Sequence, residues 1–272
     1  MAQCTPKSFD LTGKVALITG ASYGIGMAIA KAMAANGATI VFNDLKQELV
    51  DKGVAAYAEA GIKAHGYVCN VCDEDAVNAM VAKITEEVGH INILVNNAGM
   101  YRFGETLDID SGFTASMVAL HVLTPTRLCL LFGQDMRRQR HGYILNMSSV
   151  TAWLAYPGIN VYGATKRYLK NFSRGLHTEL RDYGVYVTAV CPGAVDTDLY
   201  NLNEKLRRRL VRSGIMLPPG KLARKAVRAL FRGKAVLVPG LLNRLALPFI
   251  GLIPHSLIRR AARRSGILPL QS

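Results

Sequence analysis

Short apolar runs alternate with amphipathic stretches of helical length through most of the chain. Val, Ile and Tyr dominate the apolar runs, as is typical of strands buried on both faces of a parallel sheet. The pattern predicts strands at Val15–Thr19, Thr39–Asn43, Ala64–Asn70, Asn92–Val95, Gly142–Asn146, Val185–Val190 and Ala235–Val238. The amphipathic stretches predict helices that include Gly24–Asn36, Asp73–Val88 and Asn160–Tyr183.

Strands and helices that alternate in this order indicate an α/β fold. Because crossovers between parallel strands are right-handed, the helices should cover both faces of one sheet. We therefore predict a single-domain Rossmann fold, with a doubly wound seven-stranded parallel sheet, over residues 1–240. Residues 241–272 fall outside the alternation and are predicted to form a C-terminal extension, not a separate domain.

The net charge of +14 over 272 residues is concentrated in the last quarter of the chain. Residues 1–198 carry 17 Lys and Arg against 18 Asp and Glu, whereas residues 199–272 carry 16 against the single acid Glu204. Such an apolar, basic tail suits peripheral contact with an anionic membrane surface, or lipid-like substrates. The alternative is that it wraps the domain or a partner subunit, with its arginines in solvent.

Two other interpretations of the tail are disfavoured. Residues 241–272 contain Phe249 as their only aromatic side chain, so a nucleic-acid surface with base stacking is not predicted. Arg244, Pro248 and Pro254 interrupt the apolar stretches, so no membrane span is predicted there.

The cysteines are odd in number and scattered through the chain. They are Cys4, Cys69, Cys72, Cys129 and Cys191. This pattern is typical of reduced thiols in a cytoplasmic protein, and residues 1–10 contain no apolar core of a secretory signal. Cys69 and Cys72 form a C-x-x-C pair, but no second pair or His cluster follows, so we predict no metal site.

The first predicted strand runs directly into a glycine-rich turn, Thr19-Gly-Ala-Ser-Tyr-Gly-Ile-Gly26, which opens a helix. Gly20, Gly24 and Gly26 would allow a tight turn and a close backbone approach to a pyrophosphate. The free N–H groups at the start of the helix would then stabilise the negative charge. The turn therefore predicts a dinucleotide site.

A carboxylate at the end of the second predicted strand bears on which dinucleotide binds. Asp44, eighteen residues beyond Gly26, could accept hydrogen bonds from both hydroxyls of the adenine ribose but would repel a 2′-phosphate. We predict NAD over NADP, although Lys46 leaves NADP open. The alternative is that Asp44 only caps the following helix.

Tyr162 and Lys166 lie one turn apart in a predicted helix, so they project from the same face. A free tyrosine, with a pKa of about 10, transfers protons poorly at neutral pH. A lysine ammonium one turn away stabilises the phenolate and lowers that pKa. Ser149, just after the fifth predicted strand, could hold a substrate oxygen. Taken alone, the Tyr and Lys would be side chains of an ordinary helix.

Together these motifs resemble those of the short-chain dehydrogenase/reductase family over about residues 10–240. The matching segments, in family order and spacing, are Thr19–Gly26, Asn96-Asn97-Ala98-Gly99, Ser149, Tyr162-x-x-x-Lys166, and Pro192-Gly193 followed by Thr197. The resemblance implies an NAD(P)-dependent oxidoreductase that interconverts a secondary alcohol and a ketone. It also implies a homodimer or homotetramer.

The resemblance also implies a role for individual residues. Tyr162 is expected to be the general acid/base, Lys166 to bind the nicotinamide ribose, and Ser149 to polarise the substrate oxygen. Besides Tyr162 and Lys166, the expected cofactor-binding residues are Gly20, Ser22, Tyr23, Gly24, Ile25, Gly26, Asp44, Asn70, Val71, Asn97, Ala98, Gly99, Pro192, Gly193, Val195 and Thr197.

One position departs from the family pattern. Many relatives carry an Asn that anchors a relay water in the long helix after Asn96–Gly99, and this chain has His121 there. An imidazole can still hold a water and titrates near neutrality, which makes His121 a candidate catalytic residue. A buried histidine with one hydrogen bond to the helix core is an equal alternative.

The two halves of the chain point to different substrates. Residues 39–95 are particularly similar to gluconate 5-dehydrogenases, which indicates a sugar acid or polyol, whereas the part beyond Thr197 is more similar to reductases of bulky apolar ketones. Trp153, Leu154 and Tyr156 are expected to offer apolar surface. Basic side chains of the insert after Thr197 could reach an anionic group, namely Lys205, Arg207, Arg208 and Arg209.

We predict a hydrophobic or amphipathic small-molecule substrate from these features. The alternatives are the sugar acid or polyol and a non-catalytic cofactor-binding scaffold.

Overall fold

Seven parallel strands form the centre of the computed structural model, which describes residues 9–197, 204–250 and 253–264. In chain order the strands are Val15–Thr19 (β1), Thr39–Asp44 (β2), Ala64–Val68 (β3), Ile91–Asn96 (β4), Gly142–Met147 (β5), Val185–Val190 (β6) and Val236–Leu237 (β7). They lie in the order β3-β2-β1-β4-β5-β6-β7. The predicted doubly wound sheet is therefore confirmed.

Two predicted strands are shorter in the structure. β3 ends at Val68 and not at Asn70, because the chain turns at Asn70. The Asn70 side-chain oxygen accepts a hydrogen bond from the Cys72 N–H at 3.1 Å, and the Asn70 backbone oxygen accepts one from the Asp73 N–H at 3.0 Å. β7 consists of two residues that pair with the end of β6. An edge strand needs partners on one side only, so a short one suffices.

Helices cover both faces of the sheet. They are Gly24–Ala34 (α1), Gln47–Ala58 (α2), Glu74–Glu87 (α3), Ser111–Val118 (α4), Thr124–Gln139 (α5), Asn160–Leu180 (α6), Glu204–Arg212 (α7), Pro219–Phe231 (α8), Leu241–Ile250 (α9) and His255–Arg264 (α10). The predicted helix start at Asp73 is the N-cap of α3, where its carboxylate accepts from the Ala76 N–H at 3.1 Å. This satisfies one of the free N–H groups at the helix end.

Alternate residues of each strand enter opposite halves of the core. In β1, Ile18 packs with α1 and α8, whereas Leu17 packs with α3 and α5. Both side chains are fully buried. This period of two follows from the pleat and explains why central strands are apolar on both faces.

α4 and α5 join through a π-helical turn, Ala119–Leu123, into one helical stretch, Ser111–Gln139. By length and composition alone this stretch could cross a membrane. In the structure, α5 buries Leu128, Phe132 and Met136 in the core on one face of the sheet. Packing on the sheet therefore accounts for the apolar residues on that face of the stretch.

The predicted C-terminal extension contains α9 and α10. α9 contacts the turn Val150–Trp153 after β5, and α10 buries Ile258 and Ala262. The division of the chain at residue 240 remains a prediction.

Candidate active site

The carboxyl ends of the central strands open into one cleft of about 820 Å³. A cleft at this edge is expected where neighbouring crossovers of a doubly wound sheet run to opposite faces. Of the predicted site residues, all except Ser22 and Gly26 line the cleft. The fold thus brings together residues that the chain spreads from Gly20 to Thr197.

The glycine turn between β1 and α1 depends on missing side chains. Gly20 and Gly24 have φ of +61° and +63°, a backbone region that favours glycine. A Cβ on Gly26 would lie 2.5 Å from Nδ2 of Asn97 and 2.7 Å from the Gly20 oxygen. Gly26 is therefore behind the turn, where it allows α1 to pack closely.

Hydrogen bonds between Asn97, just after β4, and Thr19, at the end of β1, hold the turn. The Asn97 amide donates to the backbone oxygens of Thr19 and Gly20 at 3.0 and 2.9 Å. The Thr19 hydroxyl oxygen accepts from the N–H groups of Asn97 and Ala98, both at 3.0 Å. These bonds set the backbone of the turn before any ligand binds.

The start of α1 has the features of an anion site. Its N-cap, Tyr23, makes no side-chain cap, so the first N–H groups of the helix are left for another acceptor. The neighbouring Ser22 hydroxyl is buried and has no hydrogen-bond partner among the described residues. A pyrophosphate in the cleft fits the free N–H groups, whereas Ser22 does not line the cleft.

The other end of the cleft holds Asp44, Asn70 and Val71. One Asp44 oxygen accepts from the Leu45 N–H at 2.9 Å. α2 begins after Lys46 and has no side-chain cap, so Asp44 does not cap it, contrary to the alternative interpretation of this carboxylate. The groups present therefore fit an adenine ribose.

Ser149, Tyr162 and Lys166 line the same cleft. Ser149 lies two residues after the end of β5 and is 7% exposed. Its hydroxyl oxygen accepts a hydrogen bond from the Thr151 N–H at 3.2 Å. Tyr162 and Lys166 lie on α6, with Lys166 Nζ 5.5 Å from the centre of the Tyr162 ring. A serine, a phenol and an ammonium thus meet beside the glycine turn.

Lys166 lies in the floor of the cleft. Its Nζ donates to the Met147 oxygen at 3.0 Å, and its own carbonyl accepts from the Ser148 hydroxyl at 2.7 Å. Burial lowers the pKa of Lys166 to about 8. Because the end of β5 carries both contacts, β5 and α6 together fix this side chain.

The short chain dehydrogenase family model matches residues 14–207. The chain belongs to the short-chain dehydrogenase/reductase family. It is therefore an oxidoreductase, and the expected cofactor of the family is NAD or NADP.

Three similar proteins carry related names. A 2-dehydro-3-deoxy-D-gluconate 5-dehydrogenase of Formosa agariphila is 37% identical over 68% of this chain and 70% of that protein. A gluconate 5-dehydrogenase of Gluconobacter oxydans is 34% identical over 71% and 76%. A solved gluconate 5-dehydrogenase of Burkholderia cenocepacia J2315, in complex with NADP and tartrate, has a TM-score of 0.74 at 27% identity and covers 85% of this chain and 95% of its own.

In this short-chain dehydrogenase/reductase, His121 lies in the π-helical turn and is 1% exposed. Burial, together with the positive charge of Lys166, lowers its pKa to about 2. The sequence, by contrast, predicted a ring that titrates near neutrality. Its Nε2 accepts from the Met100 N–H at 3.0 Å and its Nδ1 lies 3.1 Å from Oγ1 of Thr165. Both ring nitrogens are occupied, which leaves neither for a relay water.

A cavity of about 10 Å³ lies beside His121, Asn96 and Lys166. This volume is at the lower limit of what can hold one water molecule. The side-chain oxygen of Asn96 is buried and has no hydrogen-bond partner in the described part of the chain.

The apolar wall at the substrate end differs from the prediction. Trp153, Leu154 and Tyr156 do not line the cleft, and Lys170 Nζ lies 4.0 Å from the Trp153 ring centre. Met100, Ala119 and Leu120 line the cleft instead, and none of them belongs to a recognisable motif.

Two arginines of the basic insert after Thr197 are engaged in ion pairs. Arg207 pairs with Asp196, and Arg208 with Glu204 at 2.6 Å. Arg209 is exposed, and the Lys205 side chain lies outside the described residues. The structure therefore does not place Arg207 or Arg208 as free cations at the cleft.

The C-terminal extension reaches the wall of the cleft at Gly193. A Cβ on Gly193 would lie 2.7 Å from Nδ2 of Asn243 in α9. Gly193 therefore leaves room for the Asn243 side chain of α9, a contact that no local pattern predicts.

Cys69 and Cys72 line the cleft beside Asn70. The described cysteines are free thiols, and the described residues contain no group of three His, Cys, Asp or Glu side chains that could hold a metal.

Proposed function

We propose that this enzyme interconverts a secondary alcohol and a ketone of a hydrophobic or amphipathic small molecule, with Tyr162 as general acid/base. One observation carries the proposal: Ser149, Tyr162 and Lys166 line a single cleft with the glycine turn. A surface helix with an unrelated Tyr and Lys would not place a buried ammonium and a buried serine against the same cavity.

The chemistry follows from the three side chains. The Lys166 ammonium stabilises the Tyr162 phenolate and so prepares the phenol to give or take a proton. The Ser149 hydroxyl donates to the substrate oxygen and holds it beside Tyr162. The nicotinamide, when bound, supplies or accepts the hydride.

NAD is the proposed cofactor, with NADP as the alternative. The Asp44 carboxylate at the ribose end favours two free hydroxyls and repels a 2′-phosphate. The NADP in the Burkholderia cenocepacia relative keeps the alternative open.

The substrate proposal rests on the lining of the cleft. Met100, Ala119 and Leu120 form an apolar wall, and no arginine is among the described residues that line it. A sugar-acid carboxylate would ordinarily be held by such a group. The second candidate, a sugar-acid or polyol dehydrogenase, is favoured by the names of the gluconate dehydrogenase relatives.

A substrate panel separates the candidates. Purified enzyme is assayed with NAD and NADP on sterol alcohols, long-chain acyl ketones, gluconate and 2-dehydro-3-deoxygluconate, with cofactor absorbance as the readout. Higher kcat/KM on the sterol or acyl compounds supports the proposal, and higher kcat/KM on the sugar acids supports the second candidate. Turnover that survives Tyr162→Phe would contradict the proposed chemistry, and cofactor binding without any turnover would indicate a scaffold.

Peripheral membrane contact through the tail is part of the proposal. Leu245, Phe249 and Leu257 are 50–67% exposed, and Arg259 and Arg260 beside them are exposed as well. Apolar side chains flanked by arginines suit an anionic lipid surface. Co-sedimentation with phosphatidylglycerol vesicles, but not with phosphatidylcholine vesicles, tests this, and equal recovery without lipid would contradict it.

A homodimer or homotetramer is also proposed. Leu123, Leu130 and Leu131 are 41–51% exposed near Tyr168, itself 39% exposed. Such apolar surface supports self-association. Light scattering of the purified protein measures it. The free thiols support a reducing, cytoplasmic location, which remains a proposal.

A further inference from the structure

His121 connects two walls of the cleft through a chain of three hydrogen bonds. The Met100 N–H donates to Nε2 of His121 at 3.0 Å, and Nδ1 lies 3.1 Å from Oγ1 of Thr165. The Thr165 hydroxyl donates to the backbone oxygen of Tyr162 at 2.8 Å. The chain therefore runs from the loop after β4 to the turn of α6 that carries the proposed acid/base.

The bonds determine where the protons lie. Nε2 accepts from an amide, so the proton of the neutral ring is on Nδ1. The only proton of the Thr165 hydroxyl goes to the Tyr162 carbonyl, so Oγ1 accepts from Nδ1–H. An imidazolium would have two N–H groups and could not accept from Met100, so the arrangement needs a neutral ring. Hydrogen bonds that point in one direction along a buried chain strengthen one another.

The packing around the ring keeps this chain in place. His121 and Thr165 are 1% and 4% exposed. The His121 ring meets the Tyr162 ring edge to face, with centres 5.7 Å apart. A Cβ on Gly99 would lie 3.1 Å from Nε2 of His121, a tight contact that would require the ring or the loop to shift by a few tenths of an ångström. The π-helical turn adds one residue to the helix where the ring is needed, a distortion often found at functional sites.

We propose that His121 and Thr165 are positioning residues, which set the orientation of Tyr162 and of the Met100 wall relative to each other. The inference rests on the proposed role of Tyr162. The phenol and the wall face the same substrate, so a shift between them changes the distance over which the proton moves. Such misplacement lowers turnover more than it lowers cofactor binding, because the three bonds of the chain run from Met100 to Tyr162 and include no residue of the glycine turn Thr19–Gly26.

A matched pair of substitutions tests the proposal. Thr165→Val keeps the shape but removes the hydroxyl, whereas Thr165→Ser keeps the hydroxyl. We expect Thr165→Val to lower kcat by about 10- to 100-fold at every pH, with unchanged affinity for NADH measured by fluorescence titration. Thr165→Ser is expected to restore kcat to near the wild-type value. Equal kcat for the two variants would overturn the proposal.

His121→Leu and the double variant His121→Leu/Thr165→Val complete the test. If His121 and Thr165 act as one chain, the double variant loses no more turnover than the more impaired of the two single variants. The proposal would be overturned if the kcat losses of the two single variants multiplied in the double variant. It would also be overturned if the pH profile of kcat for His121→Leu lacked a titration that the wild type shows. If Thr165→Val fails to bind NADH, Thr165→Ala replaces it and is judged by the same comparison with Thr165→Ser. Tyr162→Phe separates the positioning proposal from the proposed function. If Tyr162→Phe abolishes turnover while Thr165→Val is fully active, the positioning role of Thr165 is overturned and the proposed role of Tyr162 is kept.

Discussion

The ammonium of Lys166 stands 5.5 Å from the centre of the Tyr162 ring, one helical turn further along α6. At the same time it is tied to the end of β5 through the Met147 carbonyl. The lysine therefore places its charge next to the phenol by two independent constraints, the pitch of the helix and the position of the sheet.

Tyr162→Phe is expected to lower kcat by about 100- to 10,000-fold, because it removes the proton donor but keeps the ring. Steady-state kinetics measure the loss, and NADH affinity should change little. Tyr168→Phe is the control: it lies on the same helix, and its hydroxyl bonds to Thr126 at 2.9 Å, away from the cleft. Equal losses in the two variants would point to a general effect on α6.

Lys166→Met should abolish turnover and change how stability depends on pH. Burial lowers the Lys166 pKa to about 8 from 10.5, so the unfolded chain binds more protons than the folded one between these values. Linkage then raises the unfolding free energy of the wild type with pH in this window, by at most about 1.4 kcal/mol per pH unit. Below about pH 8 the cost of the buried ammonium is constant.

Urea unfolding of both proteins between pH 7 and pH 10 measures this contribution. The wild type should gain stability relative to Lys166→Met as the pH rises. A difference that stays flat across the window would show that burial does not lower the lysine pKa.

Gly26→Ala is expected to destabilise the protein by about 1–3 kcal/mol and to weaken dinucleotide binding, since the new methyl group would overlap the Asn97 amide that holds the turn. Gly175→Ala is the matched control, because a Cβ on this helical glycine meets nothing within 4 Å. It should stabilise the protein by about 0.5–1 kcal/mol. Thermal unfolding of both variants with and without NADH measures these effects. If Gly26→Ala left both the stability and the NADH-induced stabilisation unchanged, the turn would be looser than the structure shows.

Asp44→Ala should shift cofactor preference from NAD toward NADP by about tenfold or more, equivalent to about 1.4 kcal/mol. The carboxylate no longer binds the ribose hydroxyls or repels a 2′-phosphate. Asp51→Ala, on the exposed face of α2, where Asp51 accepts from Gln47 at 2.7 Å, should leave the ratio of the two kcat/KM values unchanged. A preference that does not move in Asp44→Ala would assign selectivity to other residues.

Much of the fold and site could be predicted because the signals are local. The residues of the central strands β1, β4, β5 and β6 are mostly buried on both faces, so these runs are largely apolar. Tyr162 and Lys166 share a face because of the helical repeat. The errors have physical causes as well. Trp153 was expected at the substrate end, but the side to which an apolar residue turns depends on the packing of its loop, here against Lys170.

The sequence by itself determined the order of strands and helices, the glycine turn and the acid/base pair, because spacing along the chain defines them. Only the tertiary structure decided that Met147 binds Lys166, that His121 is neutral and bonded on both sides, and that Asn243 reaches Gly193. Backbone carbonyls have no signature in a sequence. The protonation of a histidine depends on burial and on neighbours that are distant along the chain, so these features exist only once the sheet has brought its ends together.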